Sequence, residues 1–230
     1  MVVVLLLIAV AGSLLRLALR AEPVALPDAP PGRIACVSYT PFYRPGESPL
    51  DPHAHISVAR IKTDLAVLSR RFECVRTYLV GQGMDRVPAI AQRDGMQVLL
   101  GIWLDRDPAA NAREMALGIA TARAHRSVIR AIVVGNEVLL RGKLPASAIA
   151  ADLDRVRAAT GLPVTYADVW EFWLQHPRLA AHAHFVTLHL LPYWEDHPLA
   201  VSRAVAHVAA VVARVRAAFP GKPVLIGETG

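Results

Sequence analysis

From residue 33 onward, short apolar runs alternate with longer stretches whose apolar positions recur every three or four residues. The short runs occupy 34–39, 74–78, 97–103, 131–137, 164–166, 185–190 and 224–227. They are rich in Val, Ile and Leu with little polar alternation, the pattern of strands buried on both faces. The intervening stretches at 55–71, 84–93, 111–125, 145–160, 171–181 and 199–219 carry helical spacing. Gly95 and Gly161 stand where two of them should stop. In the last stretch Val201, Val205, Val208, Val212 and Val215 form one apolar face, expected to lie on the core.

Strand and helix thus alternate through seven strands, which implies right-handed crossovers and a parallel sheet. An open dinucleotide-binding sheet would carry a Gly-rich turn after its first strand. The chain has Ser38-Tyr39-Thr40-Pro41 there and no phosphate-cradling loop elsewhere, so a nicotinamide-type oxidoreductase is disfavoured and no cofactor is expected. The pattern instead predicts an α/β fold of the (β/α)8 TIM-barrel class, incomplete, with seven strands present and the eighth missing from the 230 residues.

Residues 1–20 are almost wholly apolar up to Arg16 and read as a transmembrane anchor or an uncleaved signal. Up to residue 19 they would make about 28 Å of helix, against roughly 30 Å of hydrocarbon. Residues 21–32 are a Pro-rich linker, and 33–230 form the barrel domain. An anchored domain facing the periplasm or the cell exterior is the expected location. Arg16 and Arg20, on the C-terminal side of the apolar run, pull the other way by the positive-inside tendency.

The net charge of +6 comes from scattered arginines rather than a dense basic block, so nucleic acid is not expected as a partner. Cys36 and Cys74 make no metal motif. Free buried thiols are the default, and a bridge requires that their two strands be neighbours in an oxidising compartment. The pairs His53/His55 and His182/His184 lack a third ligand in view, so no metal site is expected.

Active sites of such barrels lie at the C-terminal ends of the strands. Those ends carry Ser38 and Tyr39, Arg76 and Tyr78, Trp103 and Asp105, Asn136 and Glu137, Tyr166 and Asp168, His189, Tyr193 and Trp194, and Glu228. Alone, Asn136-Glu137 is better explained by a helix N-terminal acid or a rim salt bridge than by catalysis. Placed on the fourth strand with Glu228 ending the seventh, it gives two carboxylates facing each other across a barrel mouth. That layout suits glycoside hydrolysis, in which one carboxyl donates a proton and the other stays ionised. Aromatic rings at the rim (Trp103, Tyr193, Trp194) would stack on the apolar faces of sugars. Arg76 could equally be a structural partner of Glu73 or Asp105. Trp170 and Trp173 could bind sugar or simply pack their helix.

The segments VSYTPF (37–42), VRTY (75–78), VVGNEV (133–138), HLLPYWE (189–195) and IGETG (226–230) together resemble glycoside hydrolase family 17, with bacterial-type wording. That family contains retaining β-1,3-glucanases and glucanosyltransferases. The resemblance implies Glu137 as acid/base and Glu228 as nucleophile. Asn136 would hold a sugar hydroxyl and Arg76 would keep the nucleophile ionised. Tyr193 would hydrogen-bond near it, and Tyr39, Tyr78, Trp103, His189 and Trp194 would shape the sugar subsites. The implied substrate is a β-glucan, most simply a β-1,3-glucan. Alternatives are a transglycosylase serving membrane-associated glucan synthesis and, because the family pattern continues beyond a seventh strand, a non-catalytic glucan-binding fragment.

Overall fold

The computed structural model describes residues 10–14 and 31–230. Its strands are β1 (Val37–Ser38), β2 (Cys74–Arg76), β3 (Gln97–Ile102), β4 (Ile129–Asn136), β5 (Val164–Val169), β6 (Val186–Leu190) and β7 (Val224–Thr229). The helices are α1 (Val58–Leu68), α2 (Val87–Arg93), α3 (Pro108–Ala124), α4 (Ala146–Thr160), α5 (Trp170–Gln175) and α6 (Val201–Ala218). Short 3-10 turns precede α2 at Met84–Arg86 and follow α5 at Pro177–Ala181. All seven strands are parallel and lie in sequence order in one sheet. Ser38 and Arg76 reach Gly227 O at 3.5 and 3.2 Å, so the sheet curls until β1 and β7 approach one another. The result is a nearly closed, seven-stranded (β/α) barrel.

Period-two alternation sorts each strand between two cores. On β4, Ile132 and Val134 join the large layer between sheet and helices, while Ala131 and Val133 point to the barrel axis. The axial layer is small, with Cys74, Leu99, Ala131, Val133 and Ala167. It leaves room higher in the barrel for polar side chains. Helix starts are set locally. The Ser57 hydroxyl accepts from Arg60 N, and Asp107 from Ala109 N ahead of Pro108. Gly161 closes α4 at φ 63°.

Several expectations change. The strand at 164–166 extends to Val169, which carries Asp168 into the sheet. The stretch at 171–181 breaks into α5 and a 3-10 turn around Pro177. Cys36 and Cys74 are not free thiols: they form a disulfide, with Cα atoms 4.3 Å apart, because β1 and β2 are paired neighbours. Trp173 is a packing residue, buried, with Nε1 donating to Thr187 O at 2.9 Å. The valine face of α6 is only partly covered. Val211 and Val215 are buried and Val208 and Val212 pack on the core, yet Val201 and Val205 are 50% and 75% exposed. Sequence period fixes which face is apolar, not what covers it.

Among the described residues no helix is long and apolar enough to cross a membrane. Residues 10–14 are helical, and the remainder of the expected anchor at 1–20, with the linker up to residue 30, lies outside the described residues.

Candidate active site

The polar strand ends converge at one mouth of the barrel. Glu137 follows β4, and its backbone has φ 52°, with φ 84° at Gly135 two residues earlier. A left-handed conformation costs a non-glycine residue roughly 1–2 kcal/mol, so the surroundings must hold it. They do so through five hydrogen bonds. Glu137 N donates to Ala167 O at 2.8 Å. Arg141 donates to Asn136 O at 2.9 Å and Leu104 O at 2.8 Å. Leu139 N donates to the Tyr166 hydroxyl at 2.8 Å and Asp168 Oδ2 at 3.2 Å. Tyr166 in turn donates to Asp168, and burial pushes the Asp168 carboxyl up from the usual carboxylate range.

Glu228, near the end of β7, is held from across the barrel. Arg76 Nη1 lies 2.9 Å from Glu228 Oε1, and the Tyr78 hydroxyl donates to the same oxygen at 2.8 Å. The Arg76 guanidinium also stacks over the Tyr78 ring at 4.5 Å and donates through Nη2 to Asn136 Oδ1. Burial pushes the Tyr78 hydroxyl up to about 12, which keeps it a donor at neutral pH. Arg76 is almost wholly buried and pairs with Glu228 rather than with Glu73 or Asp105. Asp105 instead pairs with Arg141 and Lys143, each at 3.0 Å.

Between the two carboxylates stands His189. Its side chain is fully enclosed, with Nδ1 2.8 Å from Glu137 Oε1 and Nε2 3.3 Å from Glu228 Oε1. One oxygen of each glutamate and a ring nitrogen lie within 4.8 Å of one another. The spacing would suit a metal ion. The donor set does not, because the Arg76 guanidinium already places a positive charge against Glu228 and hydrogen bonds take up the rest. The His189 hydrogen bond is the main cause that holds the Glu137 carboxyl below its ordinary range, against the opposing effect of burial.

Two hollows meet at Glu137. One, of about 280 Å³, is lined by Tyr39, Tyr78, Trp103, Asn136, Glu137 and Glu228. The other, of about 460 Å³, runs past Phe172, Trp194 and the acids Glu171, Glu195 and Asp196. Glu137, Glu228, Asn136, Tyr39, Tyr78 and Trp103 are therefore brought to one cleft, and Trp194 borders the adjoining one. His189, expected to shape a sugar subsite, sits beneath the cleft with no exposed surface. Tyr193, expected beside the nucleophile, is 66% exposed with its ring 5.2 Å from that of Trp194. The hydroxyl bound to Glu228 is that of Tyr78.

Two supporting residues, Glu114 and Arg141, gave no local signal in the sequence. Glu114 on α3 accepts from Val80 N at 2.5 Å, Gly81 N at 3.1 Å and Trp103 N at 3.4 Å, tying the loop after β2 to the end of β3. Arg141 and the Tyr166–Asp168 pair brace the Glu137 turn. A carboxylate in an Ala-rich helix looks solvent-facing until its neighbours are known. Of the histidines read as loose pairs, His182 binds Asp154 at 2.8 Å, and Val164 N donates to His184 Nδ1 at 3.0 Å.

Comparison with known proteins bears on the family and the fold. The chain is 27% identical over 183 residues to a glucan 1,3-beta-glucosidase of Schizosaccharomyces pombe, covering 73% of the chain and 57% of that protein. It is 25% identical over 202 residues to a probable beta-glucosidase, btgE, of Aspergillus fumigatus, covering 84% and 34%. The chain thus spans between a third and three-fifths of the length of these relatives. A Rhizomucor miehei beta-1,3-glucanosyltransferase, solved as an active-site mutant in complex with laminaritriose, superposes with a TM-score of 0.71 at 26% identity, covering 85% of the chain and 71% of that structure. An endo-laminarinase from Formosa Hel1_33_131 shares the fold, with a TM-score of 0.70 at 19% identity over 85% and 66% of the two chains. The family described as the BtgE/BtgC glycoside hydrolase domain matches residues 36–230, and the chain belongs to that family.

Proposed function

We propose that this domain cleaves β-glucan, β-1,3-linked in the simplest case, by a retaining mechanism with Glu137 as acid/base and Glu228 as nucleophile. The observation that carries the reading is the pair of carboxyl groups facing one another across an aromatic cleft, with one oxygen of each within 4.8 Å of the other. Retaining glycosidases hold their carboxyls about 5–5.5 Å apart, whereas inverting ones leave about 6.5–9.5 Å for a water.

In the first half, Glu228 attacks the anomeric carbon while Glu137 gives a proton to the departing glycosidic oxygen, leaving a glycosyl ester. Arg76 and Tyr78 both bind Oε1 of Glu228, which leaves Oε2 for the attack. In the second half, the Glu137 carboxylate takes a proton from the incoming nucleophile as it opens the ester. Water as nucleophile gives hydrolysis, and a sugar hydroxyl gives transfer. Transfer has specific support, because a 26%-identical structural relative is a glucanosyltransferase. The Cys36–Cys74 disulfide supports an oxidising location such as the periplasm or cell exterior.

Incubation with laminari-oligosaccharides tests the reading. Wild-type protein should release shorter products, and Glu228→Gln should lower turnover by roughly four orders of magnitude. Mass spectrometry separates the two outcomes, since products longer than the substrate mean transfer. Undiminished turnover by Glu228→Gln would sink the assignment. Glucan binding with no turnover by the wild-type chain would favour a binding module.

A further inference from the structure

The cleft wall at Trp103 and the turn that holds Glu137 follow different strands, yet one side chain joins them. Arg141 bonds the main chain on both sides of the Glu137 Cα. Its guanidinium donates to Asn136 O through Nη2 at 2.9 Å and Nε at 3.3 Å, and its backbone N–H donates to Glu137 O at 2.9 Å. One residue therefore holds both peptide groups that flank this Cα, where the backbone adopts φ 52°. The rest of the fork faces the end of β3. Nη2 also donates to Leu104 O at 2.8 Å, and Nη1 donates to Asp105 Oδ2 at 3.0 Å. The face of the guanidinium lies over the Trp103 ring, 4.2 Å from its centroid.

The partners on the β3 side are themselves anchored. Asp105 N donates to Asn111 Oδ1 at 2.8 Å, Asn111 Nδ2 donates to Asp105 O at 2.6 Å, and Trp103 N donates to Glu114 at 3.4 Å. A planar fork bonded at its edges and stacked on its face cannot shift without moving what it touches. Trp103 is half-buried and lines the same cleft as Glu137 and Glu228.

We infer that Arg141 is a positioning residue that couples Trp103 to the acid: a sugar ring seated on Trp103 holds the indole against the guanidinium and thereby fixes the Glu137 turn. This rests on the reading of Glu137 as acid/base. Binding energy from a sugar unit away from the cleaved bond is then used to orient the proton donor, so it appears in kcat and not in KM alone. A small loosening is enough, because a misplacement of about 1 Å can cost roughly a hundredfold in rate. A lysine at 141 would keep the charge beside Asp105. It could neither stack as a plane nor bond Asn136 O and Leu104 O as a rigid fork.

Steady-state kinetics of the whole chain on laminari-oligosaccharides of increasing length tests the coupling. Wild-type kcat should rise with length until a unit reaches Trp103, and then level. Trp103→Leu should abolish that rise and lower kcat on long substrates about tenfold. Arg141→Lys should lower kcat by a similar factor with KM changed by no more than about twofold. The double variant should fall no more than about twofold below either single one, because both break the same joint. A Trp103→Leu that raises KM and leaves kcat alone overturns the inference, as do losses that multiply in the double variant.

Amide hydrogen exchange reads the joint without substrate. The Glu137 N–H, bonded to Ala167 O, should exchange about tenfold faster in both variants, while Ile132 N–H, bonded to Pro163 O in the middle of β4, should keep its wild-type rate. Unchanged exchange at Glu137 in either variant overturns the inference, and so does equal acceleration at Ile132, which would mean general loosening. Either variant decides if the other does not fold. Absence of any wild-type turnover would defeat the hydrolase reading instead, and exchange at Glu137 would still decide the joint.

Discussion

The two carboxylates are held in opposite ways. Glu137 follows β4, a strand buried along nearly its whole length and flanked by paired strands on both sides. Its position is built largely by backbone: a left-handed glycine, a left-handed glutamate and a turn bonded to Arg141, Tyr166 and Asp168. Glu228 lies on β7, an edge of the sheet whose residues are all at least partly exposed and whose Ile226 is 40% exposed. It is fixed by side chains from 150 and 152 positions earlier in the chain. Where packing is dense, a backbone conformation can carry a functional group. On the Glu228 side a guanidinium and a phenol from the opposite wall do so, once the barrel has brought the two walls together.

Variants can break or sharpen that contrast. Arg76 serves both sides, since it binds Glu228 and Asn136. Removing one partner of a buried ion pair costs about 3–5 kcal/mol, and the partial exposure of Glu228 places Arg76→Leu at the low end. Urea unfolding should show a loss of about 3 kcal/mol, with activity lost as well. Gly135→Ala attacks the Glu137 side alone. An added Cβ would sit 2.8 Å from Val138 Cγ2 at a φ of +84°, and stability should fall by about 2 kcal/mol. Its pH profile should change with it, because the Glu137 turn is displaced from His189.

Tyr78→Phe tests the Glu228 side by one hydrogen bond. A bond to a charged group is worth about 1.5 kcal/mol, so kcat/KM should fall roughly tenfold while the unfolding midpoint barely moves. If Tyr78→Phe were silent and Tyr193→Phe were damaging, the assignment of the Glu228 contact would be reversed. The smallest effect belongs to the uncovered start of α6. Val205→Ser should change stability by no more than about 0.5 kcal/mol, and a larger loss would mean that the exposed valines are buried against something in solution.

Much of this architecture was legible locally. The apolar runs gave all seven strands in order, and the absence of a Gly-rich turn after the first separated a barrel from an open nucleotide-binding sheet. Asn136-Glu137 and Glu228 could be placed at strand ends because strand ends are themselves local. Boundaries shifted where tertiary pairing overrode pattern, as when β5 gained Val169 by pairing with His189 on β6. The role of Glu114 could not be read at all, since its three backbone donors belong to residues that only the folded barrel brings to α3.

What the sequence determined by itself was therefore periodic: which residues alternate about a strand, which line a helix face, and that two glutamates end the fourth and seventh strands. What only the tertiary structure decided was who meets whom across the axis. Pairing of β1 with β2 put Cys36 beside Cys74, and closure gave Tyr78 rather than Tyr193 to Glu228 and set His189 under the cleft between the carboxylates. The physical reason is that a strand's period fixes the direction of a side chain, while its partners are fixed by the curvature and register of seven strands together.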